Sequence, residues 1–209
     1  MRVCVYIDGF NFYYRRLKAS RFKWTDFALL SKELLSDEDQ IASLKYFTAG
    51  VSPRAGDAGA PDRQNRYFQA LRTTPNLSII KGKFQTKKIL RPLVSNPECF
   101  VLVHDTEEKG SDVNLASHLL MDGFRDRYDG ALVLSQDTDL LEPLRMVTED
   151  LGKIAIVVWF DHSNPGKMHR KHASFIRHVT DSMLRRSQFP NPVIGRGGRK
   201  IWMPEEWQV

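Results

Sequence analysis

Short apolar runs separated by amphipathic ones constrain the fold of this chain more than any other feature. "VCVYI", "ALVL" and "IAIVVW" are rich in β-branched residues and show no polar alternation. This is typical of central parallel strands that are buried on both faces. The pattern predicts strands at 3–7, 44–48, 77–82, 131–135 and 154–159, and helices at 24–35, 61–73, 113–127 and 140–151. Alternating strands and helices indicate an α/β fold with a mostly parallel central sheet.

Three segments interrupt the alternation of strands and helices. Residues 50–59, "GVSPRAGDAG", have the composition of a loop. The segment 81–97 is basic at its start, and with "CFVLVH" at 99–104 it predicts a β-hairpin that leaves the sheet. We expect one domain over 1–186, followed by a basic C-terminal tail over 187–209 in which Pro and Gly interrupt any helical period. Within this tail, "IWMPEEW" at 201–207 is a candidate to dock onto the domain.

Aspartates follow two of the predicted strands directly. Asp8 follows the first strand, Asp137 and Asp139 follow the fourth, and Asp112 lies where a helix begins. Ligands of open parallel sheets bind outside the carboxyl ends of the strands, near the point where the strand order reverses. We therefore expect the four carboxylates to converge at this edge of the sheet.

Carboxylates that converge raise one another's pKa, unless a cation lies among them. Mg²⁺ prefers carboxylate and water oxygens in near-octahedral geometry, and the lack of Cys or multi-His clusters argues against zinc. A site of this kind activates a water molecule for attack on a phosphodiester. The pattern therefore predicts a hard divalent cation and phosphate chemistry.

Each of these residues also has a purely structural interpretation. Asp112 is a candidate helix cap, and either Asp137 or Asp139 could cap the helix that begins near residue 140. Asp8 could be a turn residue, and Asn11 could satisfy local backbone groups. The metal interpretation depends on the joint placement of the four aspartates rather than on any one of them.

Three motifs, "YIDGFNFYY", "KGSDVNLA" and "LVLSQDTDLLEPL", occur in this order along the chain. In this combination the chain resembles the NYN domain, a branch of the PIN-like nucleases, over roughly residues 3–159. The resemblance implies a Rossmann-like three-layer α/β/α sandwich and a metal-dependent endoribonuclease. It also implies Mg²⁺ or Mn²⁺ as cofactor and nucleic acid as partner, RNA in preference to DNA.

The resemblance assigns roles to individual side chains. Asp8, Asp112, Asp137 and Asp139 would be the metal ligands, with Asp139 acting directly or through water. Asn11 would support Asp8, and together these five form the predicted catalytic set.

Two more residues match the family pattern, and three positions depart from it. The Ser135 hydroxyl would bond a carboxylate, and Lys109 would face a phosphate. Gln136 and Leu140 stand where the family more often has Gly and Phe, and His118 stands where many members have an Asp. The four main aspartates are intact, so catalytic activity is an expected possibility for this chain.

The positive charge of the chain is concentrated near its C-terminus. Residues 162–209 carry nine Lys or Arg and three Asp or Glu, which accounts for the whole net charge of +6. "KGKFQTKKILR" at 81–91 is a second basic segment, and such segments supply phosphate contacts or are simply solvated. The predicted nucleic-acid contacts are Lys81, Lys83, Lys87, Lys88, Arg91, Arg170 and Lys171.

Two other functions are compatible with parts of the pattern. A domain of the same fold could bind RNA as a scaffold and have weak or no catalytic activity. An aspartate-nucleophile phosphatase would use a strand-terminal DxD, but Ser135 and Gln136 separate "DTD" from the apolar run here, so we rank this hypothesis last.

The remaining expectations concern the cellular environment of the chain. The sequence contains neither an apolar stretch long enough for a membrane span nor a signal-peptide cleavage site. Cys4 and Cys99 both lie in apolar runs, which predicts buried thiols and a cytoplasmic location. A homo-oligomer is left open.

Overall fold

Six parallel strands form the central sheet of the computed structural model, which describes residues 1–53 and 56–208. All five pairs of neighbouring strands are parallel. The strands are β1 Arg2–Asp8, β2 Gln40–Thr48, β3 Leu77–Lys81, β6 Gly130–Leu134, β7 Ile154–Trp159 and β8 Phe175–His178, in the order β3-β2-β1-β6-β7-β8. Two further strands, β4 Lys83–Leu93 and β5 Asn96–Lys109, form a separate antiparallel hairpin.

Helices connect the strands of the sheet. They are α1 Gly9–Phe12, α2 Phe27–Leu34, α3 Ala60–Leu71, α4 Ser111–Phe124, α5 Leu141–Arg145, α6 Lys167–His172 and α7 Asp181–Arg186. A π-helical segment extends α1 over Tyr13–Leu17, and another extends α5 over Met146–Asp150. Among the described residues, no helix has the length and apolar composition that crossing a membrane requires.

The sheet separates two apolar cores. Val3, Val5 and Ile7 of β1 belong to the core beneath α2, α3 and α7, whereas Cys4 and Tyr6 belong to the core beneath α4 and α5. Successive side chains of a strand point to opposite faces, so an uninterrupted apolar strand contributes to both cores. The predicted α/β fold with a mostly parallel central sheet between helical layers is confirmed.

The β4–β5 hairpin confirms the predicted excursion from the sheet and is longer than expected. Its strands pair from Lys83 opposite Lys109 to Leu93 opposite Asn96. Most of its side chains are exposed, and Cys99 is among them. The expectation of two buried thiols is therefore wrong for Cys99, because its apolar run lies on the hairpin rather than in a core. Cys4 is buried.

Sequence patterns did not predict β8, and they gave docking of the C-terminal segment only as an alternative, for residues 201–207. β8 is a four-residue edge strand, "FIRH", without an apolar run. The segment 187–209, predicted as a tail, packs in its described part against the α2–α3–α7 core through Phe189, Val193 and Ile201. Within it, β9 Val193–Ile194 pairs with β10 Lys200–Ile201. Residues 54 and 55 of the predicted loop 50–59 lie outside the described residues.

The first turn after β1 lies close against β2. A Cβ atom added at Gly9 would come within 2.5 Å of Tyr46 Cζ and 2.8 Å of the Phe47 carbonyl oxygen. Real Cβ atoms do not approach other atoms so closely. A glycine at this position therefore allows α1 to begin directly beside the carboxyl end of β2.

We predict that Gly9→Ala destabilises the protein by about 1–3 kcal/mol, because the added methyl group overpacks a site bordered by backbone. Thermal and urea unfolding would measure the loss. Gly50→Ala is the matched control, since a Cβ there meets nothing within 4 Å, and it should leave stability unchanged or slightly raised. Equal stability of the two variants would contradict the proposed close approach.

Candidate metal centre

Three carboxylates from distant parts of the chain come together at one edge of the sheet. Asp8 ends β1, Asp112 is the second residue of α4, and Asp137 follows β6. Each offers a carboxylate oxygen, and these oxygens all lie within 4.8 Å of one another. Asp8 is buried, whereas Asp112 and Asp137 are partly exposed.

The topology explains why these residues meet. β1 and β6 are adjacent parallel strands, with Ile7 opposite Leu134, so Asp8 and the segment after β6 leave the sheet side by side. From β1 the sheet continues to β2 and β3 on one side, and from β6 it continues to β7 and β8 on the other. The strand order therefore reverses between β1 and β6. The crevice at such a reversal is the usual ligand site of open α/β sheets.

Hydrogen bonds hold Asp8 in a single orientation. Its Oδ1 accepts from the Asn11 backbone N–H at 3.0 Å, and its Oδ2 accepts from the Ser135 hydroxyl at 2.9 Å. The same Ser135 oxygen accepts from the Asp137 N–H at 3.2 Å. The predicted bond from Ser135 to a carboxylate is thus present, and it connects the first and third members of the cluster.

Asn11 supports the site through both its backbone and its side chain. Its side-chain oxygen accepts from the Gln136 N–H at 3.1 Å, which ties the turn after β1 to the turn after β6. The predicted supporting role matches this geometry, although its contact with Asp8 is made by the backbone rather than by the amide.

Asp139 lies outside the group of three carboxylates. Its side chain is exposed, and its backbone N–H donates to Asp137 Oδ1 at 3.0 Å. Asp137 therefore caps the short 3₁₀ turn Thr138–Leu140 and belongs to the carboxylate group as well. Asp112 does not cap α4, because Gly110 holds that position in a left-handed conformation.

The electrostatics of the cluster disfavour its full ionisation. Burial raises the pKa of Asp8 to about 6, opposed by the hydrogen bonds from Asn11 and Ser135 and assisted by the charges of Asp112 and Asp137. Burial also raises the pKa of Asp112, and the nearby carboxylates Asp137, Glu108 and Asp139 act in the same direction.

A groove of about 350 Å³ contains the three carboxylates. Arg15 is the cation among its lining residues, and its guanidinium pairs with Asp161 at 3.2 Å. Glu108, which sequence analysis did not select, also lines the groove. Its carboxylate accepts from the Ser111 hydroxyl at 2.9 Å, and its position three residues before the start of α4 was the available signal. We call this the acidic groove.

His118, the residue that departs from the family pattern, belongs to another cluster. Its Nδ1 lies 3.3 Å from Lys45 Nζ, and its ring packs on Phe47. Lys45 in turn pairs with Asp122, which also accepts from the Tyr6 hydroxyl at 2.7 Å. Burial lowers the pKa of His118, and the Lys45 charge acts the same way. His118 is not part of the carboxylate group.

The predicted nucleic-acid contacts fall on two sides of the acidic groove. Lys83 lies at the base of the hairpin opposite Lys109, next to Phe84 and Glu108 of the groove wall. Lys109, expected to face a phosphate, pairs with Glu107 at 2.7 Å. The others on this side are Lys81, at the end of β3, and Lys87, Lys88 and Arg91 along β4.

On the other side, Arg170 and Lys171 are exposed on α6. Their neighbour His169 is buried, and its Nε2 lies 3.4 Å from the Asp137 carbonyl oxygen. α6 is therefore anchored beside the loop that carries Asp137, which puts its basic residues near the cluster.

Comparisons with known proteins agree with this architecture. The family model described as "NYN domain" matches residues 2–180. A protein of Pseudomonas putida (strain DSM 28022 / S16) named 6-hydroxy-3-succinoylpyridine 3-monooxygenase HspA is 30% identical, over 99% of this chain and 75% of that protein. The crystal structure of a protein of unknown function, VPA0982 from Vibrio parahaemolyticus RIMD 2210633, has a TM-score of 0.58 at 14% identity, covering 86% of this chain and 93% of that one. The latter supports the fold alone.

We predict that Asp8→Asn stabilises the protein at neutral pH in EDTA. Because the folded-state pKa of Asp8 is raised to about 6 from 3.8, ionising this carboxyl costs folding free energy that grows as pH rises from about 4 to 6. The gain should be of order 1–3 kcal/mol at pH 7 and vanish near pH 4, where Asp8 is protonated in both states.

Urea unfolding at several pH values would measure this gain. Asp139→Asn is the control, since that side chain is exposed and outside the carboxylate group. A pH-independent effect of Asp8→Asn, or an equal gain from Asp139→Asn, would show that burial of Asp8 is not the cause.

Proposed function

The chain belongs to the NYN domain family, and we propose that it is a metal-dependent endoribonuclease that hydrolyses RNA phosphodiester bonds. The observation that carries the proposal is the group of Asp8, Asp112 and Asp137, whose oxygens lie within 4.8 Å of one another. Three carboxylates this close, with the nearby Arg15 already paired to Asp161, repel one another when ionised, and a cation between them would relieve this repulsion at neutral pH.

The donor set fits Mg²⁺ or Mn²⁺. All three candidate ligands are carboxylate oxygens, which hard divalent cations prefer, and no Cys or His belongs to the group. Asp8, Asp112 and Asp137 would hold the metal, with Asp139 able to contribute only through an intervening water molecule. A bound divalent cation supplies an activated water molecule and charge stabilisation at the phosphate.

The remaining polar residues act by orienting the ligands. Ser135 and the Asn11 backbone occupy one lone pair on each oxygen of Asp8 and leave the others available. Asn11 also fixes the turn that carries Asp137 through Gln136. Such support is expected for ligands that must keep their geometry when the metal is exchanged.

The basic residues on both sides of the groove would hold the substrate strand. Lys and Arg contacts to phosphates give affinity without reading sequence. Lys83 and Lys87 on the hairpin, with Arg170 and Lys171 on α6, would flank the scissile phosphate. The preference for RNA over DNA rests on the family alone.

We predict that Asp137→Asn abolishes metal-dependent cleavage of labelled single-stranded RNA while the variant still binds the RNA. The loss should be at least about 100-fold, because one of three metal ligands and its charge are removed. Cleavage assays with Mn²⁺, Mg²⁺ or EDTA, together with filter binding, would measure both properties.

Asp37→Asn is the matched control, since this aspartate is exposed and distant in the fold from the groove. It should cut at the wild-type rate. Asp139→Asn should cause a smaller loss than Asp137→Asn. Wild-type cleavage by freshly purified Asp137→Asn would overturn the assignment, and tight RNA binding by the wild-type chain without any metal-dependent product would favour the non-catalytic scaffold.

We predict that replacing Lys83 and Lys87 with Ala lowers RNA affinity and reduces the slope of log K against log salt concentration by about 1–2. Lys32→Ala with Arg72→Ala is the control pair, because both residues are exposed at the ends of α2 and α3. Those helix ends lie at the opposite edge of the sheet. Equal slopes for both double variants would remove the hairpin from the RNA-binding surface.

A monooxygenase acting on a small heteroaromatic acid is the second candidate. The observation that favours it is the 30% identity to the protein named 6-hydroxy-3-succinoylpyridine 3-monooxygenase, which extends over 99% of this chain. A monooxygenase reaction transfers one oxygen atom of O₂ to its substrate and reduces the other to water with two electrons from a reductant. Consumption of O₂ that depends on that hydroxypyridine and a reductant would support this candidate over the nuclease.

A further inference from the structure

A second cavity, of about 320 Å³, adjoins the acidic groove. The two share Phe10 and Tyr14 in their walls. Residues of α1 and its extension, β2, α3, neighbouring loops and the C-terminal segment enclose it, and seven of the 18 described lining residues are aromatic. The rings that matter here are Phe10, Tyr13, Tyr14, Tyr46, Tyr67 and Trp207. We call this the aromatic cavity.

The arrangement of the rings suits a flat ligand. Tyr14 stacks near Phe10 at 6.2 Å and meets Tyr13 edge-on at 5.3 Å, while Tyr67 meets Trp207 edge-on at 5.9 Å. Aromatic walls bind planar rings by stacking and edge contacts, and nucleobases of every type stack on aromatic side chains. The volume lies at the lower end of the range for small-molecule sites.

The hydroxyl of Tyr46 is a polar group in the wall of the cavity. Tyr46 is 6% exposed, and within residues 1–53 and 56–208 its hydroxyl makes no hydrogen bond. This oxygen lies beside Gly9, 2.6 Å from the position that a Cβ would take there. This hydroxyl offers a donor and an acceptor to a ligand with a polar edge in the cavity.

Two cations line the same cavity without a carboxylate partner in the described part of the chain. Lys18 lies over the Tyr14 ring, 5.0 Å from its centroid, and Lys23 donates to the Ser20 carbonyl oxygen. Arg63, by contrast, is paired with Asp57 and Glu206. The cavity therefore combines a planar apolar interior, one hydroxyl for a polar edge and two positive charges for an anionic group.

We propose that the aromatic cavity binds one unstacked nucleobase of an RNA strand, next to the phosphate that occupies the acidic groove. Phe10 and Tyr14 separate the two compartments, so a base in one and its neighbouring phosphate in the other lie on the two sides of a shared wall. This proposal rests on the nuclease function and adds to it a base-binding subsite. Tyr46 would contact the polar edge of the base, and Lys18 and Lys23 would contact its backbone.

The test is calorimetric titration of the full chain in EDTA with the four nucleoside 5′-monophosphates and with ribose 5-phosphate. At least one nucleotide should bind at least about tenfold more tightly than ribose 5-phosphate. Ala60→Trp should remove this preference by filling the cavity, which Ala60 lines. Ala58→Trp is the matched control, because Ala58 is exposed and does not line the cavity.

Tyr46→Phe provides a variant that removes only the hydroxyl. It should fold normally and weaken nucleotide binding about three- to tenfold, the loss expected for one neutral hydrogen bond. Thermal unfolding checks that each variant is folded. The proposal is overturned if no nucleotide binds more tightly than ribose 5-phosphate, or if Ala60→Trp binds like the wild type.

Two further results separate this proposal from the others. Binding of pyridine-3-carboxylate that Ala60→Trp abolishes, without binding of nucleotides, would overturn the base site in favour of a small aromatic acid. Nucleotide binding that Ala60→Trp abolishes, in a chain that shows no metal-dependent cleavage, would support the base site and remove the nuclease function.

Discussion

The hydrogen bond from the Ser135 hydroxyl to the Asp8 carboxylate joins the carboxyl ends of the two central strands. β1 and β6 are neighbours where the strand order reverses, and this bond brings the turns that follow them into one structure. The contact from Asn11 to the Gln136 N–H strengthens the same junction. Because Asp137 follows at once, the bond that orients Asp8 also sets the position of a second carboxylate.

This junction lowers the stability of the folded chain through electrostatics. Burial and two neighbouring carboxylates raise the pKa of Asp8 to about 6, so the metal-free site is destabilised at neutral pH. A divalent cation bound among them would reverse this sign, because the carboxylates that repel one another would all attract the ion. Gly9 meets a related steric constraint, since only a residue without a Cβ allows α1 to begin against Tyr46. That close approach places the aromatic cavity directly beside the carboxylates.

Secondary-structure elements could be predicted from the sequence where their local hydrophobic pattern was strong. The central strands were readable because burial on both faces leaves an uninterrupted apolar run, as in "ALVL". β8 could not be predicted in this way, because a short edge strand such as "FIRH" carries polar residues. The C-terminal segment has no helical period, yet Phe189 and Ile201 are buried in a core. Its packing depends on a surface made by α2, α3 and α7, which no local pattern encodes. The apolar run around Cys99 is the opposite case, because its sequence predicted burial but the run lies exposed on a hairpin.

The sequence by itself determined the α/β fold and the edge of the sheet at which the aspartates gather, and the resemblance to the NYN domain implied the bond between Ser135 and a carboxylate. The apolar runs, and the rule that ligands of parallel sheets bind at the carboxyl ends of the strands, are enough for the first two conclusions. Only the tertiary structure decided which carboxylates meet. It grouped Asp8, Asp112 and Asp137, and it left Asp139 exposed, because a 3₁₀ turn capped by Asp137 directs the next acidic residue away. It also assembled the aromatic cavity from elements far apart in the chain, for which no spacing rule exists.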